Sequence, residues 1–349
     1  MINNSFFSTE ILRWFRENGR DLPWRETRDP YAIWLSEIIL QQTRIAQGWE
    51  YWERFMQTYP KVEDLAAASE DDVLKLWQGL GYYSRARNLH TAAKQIVALG
   101  DFPNTLEGIK SLKGVGDYTA AAIGSFAFDI PAAVVDGNVY RVLSRYFGID
   151  TPINSTQGKK EFAALAQSLL PASDAASYNQ GMMDFGAIQC TPQSPKCLLC
   201  PLAETCEALR CGRVEELPVK NKTMKVKTRH LSYIYIRCKS SAADGAGKSE
   251  PMVAIHRRGE GDIWQGLWEP YNVSDVKELP SFVKNPILLA KDVKHVLTHR
   301  ILLADFYLLE TESRPPLPDD YIWIKESEIE DYGVPRLIEI MLEKINPAE

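Results

Sequence analysis

The sequence predicts a multi-domain protein, an all-α domain followed by a smaller α+β domain. Three observations carry that prediction. From residue 8 to about residue 210, apolar residues recur at helical spacing; after Leu217-Pro218 the period falls to two; and between these regimes lies a Cys- and Pro-rich loop without periodicity. At 349 residues the chain is long enough for two ordinary cores, and 45% hydrophobic with 25% charged residues excludes disordered, collagenous and coiled-coil classes.

Taken in order, Ser8 is positioned to cap a first helix that stops at Gly19. Asp29-Pro30, a cap followed by proline at the first helical position, opens the run YAIWLSEIILQQT. Helices are expected next over 46–59, 70–78, 84–99, 118–127, 139–146, 159–169 and 176–186. Six of the nine tryptophans precede residue 78, which places a large core early in the chain. Beyond the boundary LSYIYIRC, MVAIHRR, ILLADFYLLE and YIWIK read as strands, and a helix over 334–345 closes the chain. The expected domains are 1–216, with the cysteine loop at 190–206, a basic linker at 217–228, and 229–349.

A formal charge of −6 argues at first against a nucleic-acid partner. By segment, however, residues 1–200 carry −3, residues 201–300 carry +5 and residues 301–349 carry −8. A polyanion feels the local field within about 10 Å, so the total excludes little. Lys220, Lys222, Lys225, Lys227, Arg229, Arg237 and Lys239 form a run without an acidic residue, either a solvated linker or a phosphate-facing stretch. There is no run of about 18 apolar residues and no basic-then-apolar start, so neither a membrane span nor a secretory signal is expected.

Cys190, Cys197, Cys200 and Cys206 are spaced C-x6-C-x2-C-x5-C in a loop that apolar burial cannot hold. A disulfide framework needs an export route, and zinc sites generally use two C-x2–4-C knuckles where only one pair exists here. Four thiolates in one tight loop suit a [4Fe-4S] cubane better than zinc or free thiols. Cys211 and Cys238 fall outside the spacing.

Four further features carry chemistry. In Leu112-Lys113-Gly114-Val115-Gly116, alternate glycines can turn backbone N–H groups outward at a helix start, an anion site as well as a plain turn. Asp136 precedes a helix; as an N-cap its carboxylate is expected to be held ionised, with its pKa lowered. Glu37 interrupts a mostly apolar helical face and either faces solvent or, if buried, holds a proton at pH 7. One protonated and one ionised carboxyl is the division of labour for cleaving a glycosidic bond. Gln41-Gln42-Thr43 and Gly79-Leu80-Gly81-Tyr82-Tyr83 place amides and tyrosines at helix ends, where such groups can enter a base stack or serve as ordinary aromatics.

Together the hairpin, an aspartate twenty residues later and the cysteine loop resemble the helix-hairpin-helix DNA glycosylase superfamily, and within it the MutY family of adenine glycosylases. The resemblance runs through LPWR (22–25), SEIILQQT (36–43), GLGYYSRARNLH (79–90), GVGDYTAAAI (114–123), VDGNVYRVL (135–143), IWQGLWEP (263–270) and LTH (297–299). It implies excision of adenine opposite 8-oxoguanine or guanine in duplex DNA, by a monomer located in the cytoplasm at a bacterial nucleoid. Glu37 is implied as the general acid on adenine N7, and Asp136 as stabiliser of the anomeric carbon with Tyr118 and Asn138 supporting it. Trp24, Arg25 and Gln180 would line the adenine pocket; Gln42 and Tyr82 would wedge beside the lesion; Thr43, Thr298 and His299 would contact it; and Gly114 and Gly116 would meet the backbone. The family often carries Phe-Ser-His where this chain has Leu297-Thr298-His299, and a Pro at Lys113. Lyase-type relatives place a Schiff-base lysine where Tyr118 stands, so the resemblance implies a monofunctional enzyme. The second domain resembles the Nudix fold, but after Gly266 the chain reads LWEPYNVSDVKELPSF, without the glutamate run that holds metal in Nudix hydrolases. A lesion reader is therefore expected there.

Overall fold

The computed structural model describes residues 4–221, 226–239, 250–274 and 279–346. Contacts divide the chain into two compact units, Met1–Ala66 with Thr91–Thr223, and Ala67–His90 with Met224–Glu349.

The first unit is helical. It contains α1 (Asn4–Asn18), α2 (Pro30–Ile39), α3 (Ile45–Thr58) and most of α4 (Val62–Ala67). The next pair, α5 (Glu70–Trp77) and the first turns of α6 (Ser84–Leu99), are assigned to the second unit. The first unit resumes through α7 (Leu106–Lys110), α8 (Asp117–Phe128), α9 (Gly137–Phe147), α10 (Thr156–Leu169), α11 (Ala175–Asp184) and the single turn α12 (Glu207–Arg210). Local chemistry sets the boundaries. Asp29 accepts from the Tyr31 amide with Pro30 at the first helical position, and Ser155 and Asp136 cap α10 and α9. Asp129 and Gly148 end α8 and α9 in the left-handed region. One core gathers Phe7, Ile11, Trp14, Leu143, Tyr146, Phe162 and Phe185.

The second unit carries a seven-stranded sheet: β1 (Lys227–Cys238), β2 (Met252–Arg257), β3 (Trp268–Glu269), β4 (Tyr271–Ser274), β5 (Ile287–Val296), β6 (Arg300–Thr311) and β7 (Tyr321–Lys325). Its main path runs β3-β2-β1-β6-β5; β4 pairs with β1 and β7 with β2. Only the β1–β6 pair is parallel among the strand pairs of the described residues. Alternation sends Tyr233, Tyr235, Ile255 and Phe306 under the last helix, α13 (Arg336–Ile345), while Ile234, Ile236 and Leu309 pack on the other face with Phe282 and Trp323.

Three sequence expectations are corrected. The first helix begins at Asn4, so Ser8 lies within it and donates to the Leu169 carbonyl (2.6 Å) instead of capping. The α2 helix stops at Ile39, and Gln42 takes a positive φ of 58°. The basic run is no linker along its whole length: Lys220 precedes Asn221, which is anchored to Asn154, and Lys227 already belongs to β1. Arg229 binds Asp262, Arg237 binds Glu326, and Lys239 binds Glu310. Lys222 and Lys225 lie outside the described residues.

Candidate active site

Glu37 sits near the end of α2 and is only 6% exposed. Its Oε2 accepts the Tyr118 hydroxyl at 2.9 Å from the first turn of α8. Burial pushes the Glu37 carboxyl up to about 7; the Tyr118 bond and the Arg25 cation pull it down, and the Asp136 charge adds to the rise. Of the two sequence alternatives, the buried one is realised.

Asp136 caps α9. Its Oδ1 accepts the Val139 amide and its Oδ2 the Asn138 side-chain amide, each at 2.8 Å. The expected fall in its pKa is not found: burial raises it, and the cap bonds and Arg141 only oppose that rise. Desolvation outweighs the helix terminus here. Asn138 is itself held, its Oδ1 accepting from Arg141 Nη2 at 2.8 Å, while the same guanidinium donates to the carbonyls of Gly186 and Cys190.

Glu37, Gln41, Gln42, Tyr118, Asp136 and Tyr140 line one cavity of about 330 Å³. Trp24, Arg25 and Gln180 are not among its walls. Trp24 is buried edge-on between Trp49 and Trp52, at ring separations of 5.9 and 5.7 Å. Arg25 forks onto Asp184 through Nη1 and Nη2, both at 2.8 Å. Gln180 is half-buried on α11, and Thr43 contacts the Gln41 carbonyl at 3.5 Å. Sequence reasoning missed Arg20, Asp184, Arg141 and Arg145. The signal available for the last two was a pair of arginines four apart on α9 in an otherwise apolar stretch.

In the hairpin, Gly114 takes φ 80°, which a side chain would strain, and Gly116 stands at the N-cap of α8. Because glycine offers no side-chain cap, the first amides of this twelve-residue helix remain directed at whatever anion approaches.

A five-residue π-turn, Phe185–Gln189, delivers Cys190 from α11 into the cysteine loop. Cys190, Cys197, Cys200 and Cys206 line one small cavity with Arg145, whose Nη1 lies 3.4 Å from Cys190 Sγ. None of the four is in a disulfide. Among the described residues no three Cys, His, Asp or Glu groups close around a single metal ion. Four thiols converging on one cavity from a single loop suit the donor set of a cluster. Burial pushes the Cys200 thiol up to about 12, so its thiolate needs a metal to form at neutral pH.

In the second unit, Tyr82, Trp264, His295, Leu297, Thr298 and His299 line a cavity of about 510 Å³. Tyr82 is held at φ 47° and is 46% exposed, and its hydroxyl shares a 2.6 Å hydrogen bond with Thr298 Oγ1. The guanidinium of Arg85 lies 5.6 Å from the Tyr82 ring centre.

Comparison with known proteins agrees with this arrangement. Residues 35–171 match the HhH-GPD superfamily of base excision DNA repair proteins, 190–206 the iron–sulfur binding domain of endonuclease III, and 247–344 the NUDIX domain. The cysteines therefore hold a [4Fe-4S] cluster, and all four face the one cavity that would receive it. An adenine DNA glycosylase of Buchnera aphidicola from Schizaphis graminum is 30% identical, over 97% of this chain and 98% of its own. The mouse adenine DNA glycosylase is 43% identical over 61% of this chain, a match spanning only 44% of the mouse protein. A solved thermostable thymine-DNA glycosylase superposes with a TM-score of 0.56 at 34% identity, covering 60% of this chain and 97% of that one. No described helix is long and apolar enough to cross a membrane.

Proposed function

This chain belongs to the adenine DNA glycosylases of base-excision repair, and we propose that it hydrolyses the N-glycosidic bond of adenine mispaired with 8-oxoguanine or guanine in duplex DNA, as a monomer and without cutting the strand. The observation that carries this reading is the shared cavity of Glu37 and Asp136, one carboxyl poised near pH 7 and the other held by two amide donors.

Glu37, protonated, gives its proton to adenine N7, so the leaving base departs neutral as the C1′–N9 bond breaks. Asp136 stabilises the cationic sugar that remains, and its fixed hydrogen bonds spare it reorganisation as charge develops. The ionised Glu37 then takes a proton from the attacking water, which restores the acid. Tyr118 orients Glu37, and Asn138, held by Arg141, orients Asp136. Tyr118 has no amine, so no Schiff base forms with the sugar and the backbone is left uncut.

Around this centre, Trp24, Arg25 and Gln180 support the base pocket, and Gln42 and Tyr82 enter the gap left by the flipped adenine. Thr43, Thr298 and His299 read the opposite base, and Gly114 and Gly116 bind phosphate through backbone amides.

Incubating the holoenzyme with A:8-oxoguanine, A:G, A:C and T:G duplexes and then with alkali tests the reading. Strand breaks at the adenine, strongest opposite 8-oxoguanine and dependent on the alkali step, are expected. Cleavage at thymine in T:G alone would replace it with the specificity named for the thymine-DNA glycosylase relative. Efficient borohydride trapping on DNA would overturn the monofunctional assignment.

A further inference from the structure

Asp136 reaches its cavity at the end of a stretch that belongs to no regular element. Asp129 ends α8 in the left-handed region and α9 begins at Gly137. The backbone between them lies in no helix and pairs with no strand among the described residues. Ala132 and Val134 are nevertheless buried, so their polar backbone groups must be satisfied by something else.

Two side-chain amides satisfy them. Asn179 of α11, 1% exposed, accepts the Val134 amide through Oδ1 at 3.1 Å and donates through Nδ2 to the Ala132 carbonyl at 2.8 Å. Gln167, in the last turn of α10, accepts the Ala133 amide through Oε1 at 3.0 Å. Its Nε2 donates to the Pro131 carbonyl at 2.9 Å. Each side chain thus takes one carbonyl and the N–H two residues on, as a residue of a parallel neighbouring strand does. The two clamps are one residue out of step, so together they bind four consecutive residues. Asn179 Nδ2 also donates to Ser125 Oγ at 2.9 Å, a fully buried group on α8, the helix that carries Tyr118.

The clamped residues lead directly into the site. Val135 and Asp136 follow Val134, and both line the cavity with Glu37 and Tyr118. The cap bonds to Val139 and Asn138 set the direction of the Asp136 carboxylate relative to α9. They do not fix the path of the backbone that arrives from α8.

Resting on the role given to Asp136, we propose that Asn179 and Gln167 are positioning residues for excision: they stand in for neighbouring strands and hold residues 131–134, so that the Asp136 carboxylate is presented to the sugar at a fixed place. Their effect falls on the chemical step, because what they place is the group that stabilises the cationic sugar.

Single-turnover excision from an A:8-oxoguanine duplex, with holoenzyme in increasing excess, tests this. At saturating enzyme the rate constant reports only folded, bound molecules. A loss of folded molecules shows instead in cluster absorption per chain and in the enzyme concentration needed to saturate. Asn179→Leu, close in shape but without either bond, is expected to lower the saturating rate constant about 30-fold. Gln167→Leu, at an exposed position where water can replace the amide, should lower it about fivefold. Gln167→Glu, which keeps the acceptor for the Ala133 amide, should lose less than Gln167→Leu. The saturating concentration should stay within about threefold of the wild type in all three. A wild-type rate constant in either folded leucine variant, or a loss confined to saturation and cluster content, overturns the proposal. If Asn179→Leu does not fold, Gln167→Leu alone decides. Should Asp136→Asn excise at the wild-type rate, the role of Asp136 itself falls. Should Asp136→Asn be slow while both leucine variants keep the wild-type rate constant, only the assignment of Asn179 and Gln167 falls.

Discussion

In the helical unit the candidate reactive groups are buried or half-buried at helix ends and tied to fixed partners: Glu37 to Tyr118, Asp136 to Val139 and Asn138, Asn138 to Arg141. In the sheet unit the candidate reading groups stand on exposed loops, with Tyr82 at positive φ and linked to Thr298 by one hydroxyl–hydroxyl bond. The contrast follows from what each must do. A proton donor works near neutral pH only if desolvation lifts its pKa, which requires burial and a rigid surround. Groups that meet a duplex from outside must stay accessible, and each can contribute no more than an exposed hydrogen bond or a stacked ring. Substitutions in the first region should therefore act on rate by orders of magnitude, and those in the second on selectivity by small factors.

The largest effect is expected at Glu37. Glu37→Gln keeps the shape and the acceptor for Tyr118 but removes the proton, so single-turnover excision should fall by about 10³-fold or more while duplex binding persists. The same variant should also be more stable at alkaline pH. The folded-state pKa is raised from 4.5 to about 7, so the folded protein holds this proton more tightly than the unfolded chain. Stability from this group is complete below about pH 4.5 and is lost as pH rises through 7. At pH 8 the wild type carries a penalty on the order of 3 kcal/mol that glutamine lacks, and at pH 4 the two should unfold alike. Denaturant titrations at both pH values check this; equal stability at pH 8 would show that Glu37 is not desolvated.

A smaller loss is expected where the same region is held together from behind. Arg141 donates to the Cys190 and Gly186 carbonyls and to Asn138 Oδ1, so it ties the cysteine loop to the residue whose side-chain amide donates to Asp136. Arg141→Leu leaves these acceptors unpaired and should cost about 3 kcal/mol of stability. It should also slow excision about tenfold in molecules that keep their cluster, through looser placement of Asn138. A variant that lost its cluster but kept full activity per folded molecule would show that the cysteine loop and the catalytic residues are independent.

Legibility in the sequence follows the same division. The Asp29-Pro30 start of α2 and the Asp136 cap were readable because each rests on the chemistry of two or three adjacent residues. The cysteine loop was readable from spacing alone. Three of the strands that proved harder are β3, β4 and β5. The first two are short, and β5 carries Lys291, Asp292 and Lys294 with two register irregularities against β6, which erase the period of two. The direction of the Asp136 shift was misjudged because a cap is local whereas desolvation depends on everything packed around it. Arg20 and Asp184 were invisible for a related reason: they are 164 positions apart, and nothing in either neighbourhood announces the other.

The smallest effect tests the exposed side of the contrast. Tyr82→Phe removes only the hydroxyl bond to Thr298 and keeps the ring, its strained backbone and its contact with Arg85. An exposed neutral hydrogen bond contributes about 1 kcal/mol or less, so the ratio of rates on A:8-oxoguanine and A:G should change by no more than about fivefold. Stability should be unaltered. Tyr82→Ala, which also removes the ring, should lower the rate on both duplexes more than it changes their ratio, because a stacked ring fills the gap beside any flipped base. If Tyr82→Phe abolished the preference for 8-oxoguanine, the hydroxyl pair would be a recognition element in its own right, and exposure would no longer separate the groups that read from the groups that react.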